Sequence, residues 1–148
     1  MTEVLFYHLE VQPLDRVLPV LLERSLERGW RVVVESGTPE RVDALDTLLW
    51  TYKPESFLPH AVAGGKEDKE QPVLITTTPD NPNGATVRFF VEGAVPRVGE
   101  LYERIVYLFS GHDPEAVVAA RAAWKALGPG NTLTYWQQDA SGRWVKKG

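Results

Sequence analysis

A single α/β domain is the fold that this sequence predicts, on three observations. Short apolar runs rich in β-branched and aromatic residues alternate with segments whose apolar residues recur at helical spacing, beginning strand, helix, strand, helix. The length of 148 residues suits one hydrophobic core. The second run, Val32-Val33-Val34, is continuous enough to be buried on both faces, as strands of a parallel sheet are.

Taken in order, Glu3 to Leu9 reads as a strand through Val4, Leu5, Phe6 and Tyr7. Leu14, Val17, Leu18, Leu21, Leu22 and Leu26 then mark a helix with Asp15 as its candidate N-cap and Gly29 as its stop. Pro19 argues for a start later than the pattern, since proline is cheapest in a first turn. Trp30 to Glu35 is the second strand, and a right-handed crossover sets it parallel to the first. Thr38-Pro39-Glu40 starts the next helix with a hydroxyl cap and a proline whose ring already fits, and Val42, Leu45, Leu48 and Leu49 form its apolar stripe.

Residues 63 to 71 carry Gly64, Gly65 and the charge run Lys66-Glu67-Asp68-Lys69-Glu70, an exposed loop. Pro72 to Thr78 and Thr86 to Glu92 read as strands, and the turn residues between them, Pro79 to Gly84, predict an antiparallel hairpin. Leu101, Ile105, Leu108 and Phe109 predict a helix over Glu100 to Phe109. Asp113-Pro114-Glu115 caps an alanine-rich helix reaching Leu127, stopped by Gly128-Pro129-Gly130. Leu133 to Gln138 is a last strand, and Ala140-Ser141-Gly142 turns into a tail with Trp144, Lys146 and Lys147. No repeat or internal boundary is visible, so residues 1–148 are expected to form one domain, with 137–148 as a C-terminal extension.

Composition removes several classes of chemistry. There is no cysteine, hence no disulfide, thiolate metal site or cysteine nucleophile. His8, His60 and His112 are widely separated, which disfavours zinc, and no metal or cofactor is expected. The first strand–helix turn, Glu10-Val11-Gln12-Pro13, lacks the glycines that let backbone N–H groups approach a phosphate. Gly64-Gly65-Lys66 is followed by Glu67 where a phosphate loop needs serine or threonine. Ser36-Gly37 and Ser110-Gly111 lack the context of a nucleophile elbow. The formal charge of −4 argues against a direct grip on a nucleic-acid backbone, unless a basic patch is hidden within the acidic average. Met1-Thr2-Glu3 does not open a signal peptide and no apolar run is of membrane-spanning length, so a cytoplasmic location is expected.

Several segments match one family in order. They are Phe6-Tyr7, Gly29-Trp30-Arg31-Val32, Leu45-Asp46-Thr47-Leu48-Leu49-Trp50, Glu55-Ser56-Phe57-Leu58-Pro59-His60, Pro72-Val73-Leu74-Ile75 and Trp124-Lys125. Together they resemble the chi subunit of bacterial DNA polymerase III, from about Phe6 to Trp136. The specific part is L-D-x-x-L-W followed closely by E-S-F-x-P-H. The resemblance implies a three-layer Rossmann-like domain, with a mixed, mostly parallel sheet and helices on both faces. It implies no catalysis by this chain, the nucleotidyltransferase activity belonging to other subunits of the holoenzyme. It further implies a clamp-loader accessory role in DNA replication. There the family binds the acidic, phenylalanine-ended C-terminal tail of single-stranded DNA-binding protein and often a second small subunit, psi. Psi is not identifiable in every lineage having chi.

One cluster fits that role. Arg121 and Lys125 are neighbours on a helix face, and Trp124 lies beside both. A guanidinium can take a terminal carboxylate in a fork, an ammonium attracts acidic residues, and an apolar wall accepts a phenylalanine ring. The alternative is that the cations serve the helix dipole and Trp124 is core. By the resemblance these three fall where the family's tail-binding group lies, with Trp136 expected to complete the wall. A second partner surface is expected around Trp50, Phe57, Leu58 and Pro59, which are otherwise core. The rival readings are a small α/β nucleotide-binding enzyme and a direct single-stranded DNA binder using Trp124, Trp136, Trp144, Lys146 and Lys147.

Overall fold

The computed structural model describes residues 2–53 and 58–148. Among these, the strands are β1 Glu3–Leu9, β2 Val32–Ser36, β3 Ala61–Val62, β4 Val73–Thr76, β5 Val87–Val91, β6 Arg104–Ser110, β7 Thr132–Gln138 and β8 Trp144–Lys146. The helices are α1 Leu14–Glu27, α2 Pro39–Thr51 and α3 Pro114–Leu127. The strands form one open sheet in the order β3-β4-β2-β5-β6-β1-β7-β8, parallel except for the β7–β8 pair. α1 and α2 cover one face, packing Leu18, Leu22, Leu45 and Leu49 on Val32, Val34, Ile75, Phe89 and Val106. α3 covers part of the other, over Val4, Phe6, Phe90, Tyr107 and Phe109. The fold is therefore the expected three-layer α/β arrangement with a mixed, mostly parallel sheet.

The helix starts mostly follow their sequence signals. Thr38 Oγ1 accepts from Arg41 N–H, and Asp113 Oδ1 accepts from Glu115 and Ala116 N–H, each with proline next in line. α1 differs. It begins at Leu14 as the apolar pattern does, Pro13 is its N-cap, Asp15 is already inside it, and Pro19 lies within the helix. Pro19 has no N–H to give the carbonyl of Asp15, so α1 forgoes that one bond close to its first turn. At the other end, Gly29 at φ +78° lets Trp30 N–H reach back to Ser25 O. Trp30 thereby belongs to the helix stop, and β2 begins only at Val32.

Two predicted elements are corrected. Residues 104–110 form β6 and no helix spans Glu100 to Phe109. Ile105 to Phe109 are buried without a break, the pattern of a central parallel strand, and a continuous run matches helical spacing by default. The supposed hairpin is also absent. β2 lies between β4 and β5 and pairs in parallel with both. Every residue of β4 and β5 is buried, which a half-exposed hairpin would not achieve. The turn chemistry serves a helix-free crossover instead, with Gly84 at φ +66° and the Asn81 amide bonding both Ala85 N–H and O. The loop over 63–71 is largely exposed as expected, with one short 3-10 turn at Asp68–Glu70.

The face that α3 leaves open is closed by the segments before β5 and before β6, pinned by a charge network. Arg88 in β5 is wholly buried and donates to Glu35, Tyr102 Oη, and the carbonyls of Thr78 and Asp80. Arg97 closes on the same carboxylate with bonds of 2.8 and 2.6 Å, and pairs with Glu100 at 2.6 Å.

Gly37, between β2 and the Thr38 cap, touches backbone. A Cβ there would stand 2.5 Å from Glu92 O, with no flexible atom to yield. Gly37→Ala is expected to cost about 1–3 kcal/mol by overpacking. Urea unfolding checks this, and an unchanged midpoint would refute the contact.

Candidate partner-binding site

α3 lies close on the sheet because its inward stripe is mostly small, Ala120 and Ala123 with Leu127. One turn outward, Trp124 is half-buried. Its indole meets the Phe6 ring edge-on at 5.2 Å and the Tyr135 ring at 5.8 Å. Arg121 and Lys125 flank it, both exposed, and neither has a carboxylate within 4.0 Å among the described residues. The structure thus brings together Arg121, Trp124 and Lys125.

It does not bring Trp136 to them. Trp136 is in register with Tyr7, which packs toward α1, whereas Tyr135 is in register with Phe6 beneath α3. Strand alternation therefore puts Trp136 on the opposite face of the sheet, and Tyr135 takes the wall position. The signal was present as the adjacent aromatic, but choosing between the two requires knowing which face α3 covers. Tyr135 also bonds His8 Nδ1 at 2.6 Å, and His8 Nε2 lies 2.9 Å from Glu10 Oε1. Burial pushes the His8 imidazole below its ordinary value, with Glu10 opposing. Burial pushes the Tyr135 phenol up, while the Arg121 charge pulls it back.

The residues after β7 turn back beside this cluster. β8 pairs with β7, Lys147 N–H donates to Tyr135 O, and the Gly148 backbone lies beside the Trp124 indole. Hydrogen-bonding positions on the outer edge of β7 at Tyr135 are accordingly taken.

The second predicted surface divides. Trp50 is 52% exposed at the end of α2. Leu58 is buried in the core beneath α1 and α2, and so presents nothing to a partner. Pro59 is half-buried, and Phe57 lies outside the described residues. What joins the two sequence motifs is a histidine. His60 is buried, Nδ1 pairs with Leu58 O at 2.7 Å, Nε2 reaches Asp46 Oδ1 at 3.0 Å, and its ring lies 4.6 Å from that of Trp50. Asp46 of the first motif and His60 of the second hold the indole in place, a role that the spacing alone did not reveal.

A cleft of about 830 Å³ opens beyond the carboxyl ends of β1 and β6, between the β1–α1 and β6–α3 loops. This is where open α/β sheets hold ligands. Its lining includes Glu10, Asp15, Glu92, Asp113 and Glu115 against Arg41, a charge balance that repels polyphosphate.

The comparisons with known proteins agree on one family. The family model for the DNA polymerase III chi subunit, HolC, matches residues 1–130. A probable DNA polymerase III subunit chi from Rickettsia prowazekii is 26% identical over 87 residues, 59% of this chain and 53% of that protein. The DNA polymerase III subunit chi of Pseudomonas aeruginosa is 29% identical over 90 residues, 58% of this chain and 62% of that protein. The matched stretches therefore cover less than two thirds of either relative. The family match includes the first two strands, both signature motifs and the whole of α3, and the chain belongs to the DNA polymerase III chi subunit family, a family of replication accessory subunits.

Proposed function

We propose that this chain is a non-catalytic adaptor of the DNA polymerase III clamp loader, working in the cytoplasm as one domain, that binds the acidic C-terminal tail of single-stranded DNA-binding protein. The observation that carries the reading is the pair of exposed, carboxylate-free cations, Arg121 and Lys125, on either side of a half-buried indole. The arginine takes the terminal carboxylate, the lysine attracts the acidic residues before it, and Trp124 with Tyr135 receives the phenylalanine ring. Because the edge of β7 at Tyr135 is occupied, the tail is held by side chains and does not add as a strand. Trp50, with Phe57, is the proposed contact for psi or an equivalent subunit, and through the α3 site nucleic acid is reached indirectly, by way of the binding protein.

Calorimetry with the tail peptide tests the site. Arg121→Ala and Lys125→Glu are each expected to weaken binding by about 1–3 kcal/mol without unfolding the domain, and added salt weakens the parent further. Unchanged affinity in both variants removes the site.

A further inference from the structure

The face of the sheet opposite α3 carries an arrangement that the tail site does not use. Tyr7, Trp136 and Lys146 stand side by side across β1, β7 and β8, since Tyr7 is in register with Trp136 and Trp136 with Lys146. Trp144 joins them, its ring 5.0 Å from that of Tyr7. Along the border with α1 lies a recess of about 90 Å³ whose lining includes Leu5, Tyr7, Arg24, Arg28, Trp30 and Arg104. Arg28 and Arg104 sit 5.0 and 4.7 Å from the Trp30 ring.

Cations outnumber carboxylates there, Arg24, Arg28, Arg104 and Lys146 against Glu3, Glu27 and the exposed Glu103 before β6. Arg24, Arg28 and Lys146 are exposed and have no carboxylate within 4.0 Å among the described residues. Arg104 pairs with Glu3 at 3.0 Å, and Glu27 is the exposed carboxylate on the nearby turn of α1. The acidity of the chain is concentrated elsewhere, in the cleft at the carboxyl ends of β1 and β6 and in part in the 66–70 loop. An average charge of −4 therefore hides a basic, aromatic face that begins where the β6 start and the α1 end meet, at Arg24, Arg28 and Trp30, and runs along the sheet to Tyr7, Trp136, Trp144 and Lys146 toward the carboxyl end of β7.

Aromatic rings interleaved with unpaired cations fit a polymer that alternates flat rings with negative charges. We propose that this face, formed by Arg24, Arg28, Trp30, Tyr7, Trp136, Trp144 and Lys146, binds single-stranded nucleic acid directly. Bases stack on the indoles, and the arginines and Lys146 take phosphates. An acidic peptide ended by one phenylalanine would satisfy the cations and one ring but leave the other indoles of this face without planar partners, whereas successive bases supply one for each. The face lies across the sheet from Arg121 and Trp124, so a bound tail and a bound strand do not compete for side chains.

The test uses the full chain and fluorescein-labelled oligothymidylate, with no single-stranded DNA-binding protein, read by anisotropy and by quenching of tryptophan emission. Saturable binding that quenches tryptophan and weakens steeply with salt is expected. Arg24→Glu with Arg28→Glu should weaken it at least tenfold while leaving tail-peptide affinity unchanged, and Trp136→Ala should weaken it about tenfold with the domain still folded by thermal melt. Oligouridylate in place of oligothymidylate reports whether the sugar matters, and binding of either supports the face. Absence of saturable binding at low salt, full binding by the double charge reversal, or equal competition by polyglutamate would overturn the proposal.

Discussion

Glu35→Gln is expected to cost about 3–5 kcal/mol at neutral pH, because it removes the hydrogen-bonded anion of the wholly buried Arg88 guanidinium and leaves only Glu100, 4.0 Å away. Glu35 is the centre of the network, accepting from both Arg88 and Arg97. Burial alone would push its carboxyl up, but the hydrogen bonds and charges of Arg97 and Arg88 hold it below the ordinary carboxylate value of 4.5. A depressed native value means that the unfolded chain binds the proton more readily. The stabilisation is thus complete above about pH 4.5 and is lost as pH falls further, through the native value. Urea titrations of parent and variant should show a gap that is full at pH 7 and narrows below pH 4.5. A gap under 1 kcal/mol at pH 7, or one that widens toward acid, would contradict the network. Arg97→Ala should cost less, on the order of 1 kcal/mol, since that side chain is 41% exposed.

Phe6→Ala is expected to lose a similar amount, about 3–5 kcal/mol, with a functional cost as well. Phe6 is fully buried, and its ring meets those of Tyr107, Trp124 and Tyr135. Removing it opens a cavity beneath the indole that is proposed to receive the partner's phenylalanine. Thermal unfolding reads the first effect and calorimetry with the tail peptide, at a temperature where the variant is still folded, reads the second. Phe6→Leu fills most of the volume and should recover much of the stability. Parent-like stability in Phe6→Ala would mean that α3 is not seated on this ring.

How much of this could be read from the sequence depends on how local the signal is. Caps with proline, the Gly29 stop and the Gly128-Pro129-Gly130 stop act within a few residues, and they mark the starts of α2 and α3 and the ends of α1 and α3. β6 and the β4–β5 pairing were misread because a run buried on both faces matches every period, and because turn residues do not reveal that β2 comes between two strands. Arg88 carried no sequence signal of burial, since its partners Glu35, Thr78, Asp80 and Tyr102 come from separate segments. In the candidate site, helical spacing alone grouped Arg121, Trp124 and Lys125. Tyr135 in place of Trp136 depended on the face to which α3 docks, a tertiary fact. The resemblance pointed to Asp46, Trp50 and His60 as motif letters, and only the fold makes them a clasp.

The position of β1 has a consequence for biosynthesis. It is wedged between β6 and β7, whose residues are added about 100 and about 130 positions later. A growing chain on the ribosome must therefore carry Val4 and Phe6 without their final neighbours until β7 has been made. The first strand of the sheet to be made is among the last to find its place in it, and any stalled product that stops short of residue 132 leaves its flank open to the wrong chain.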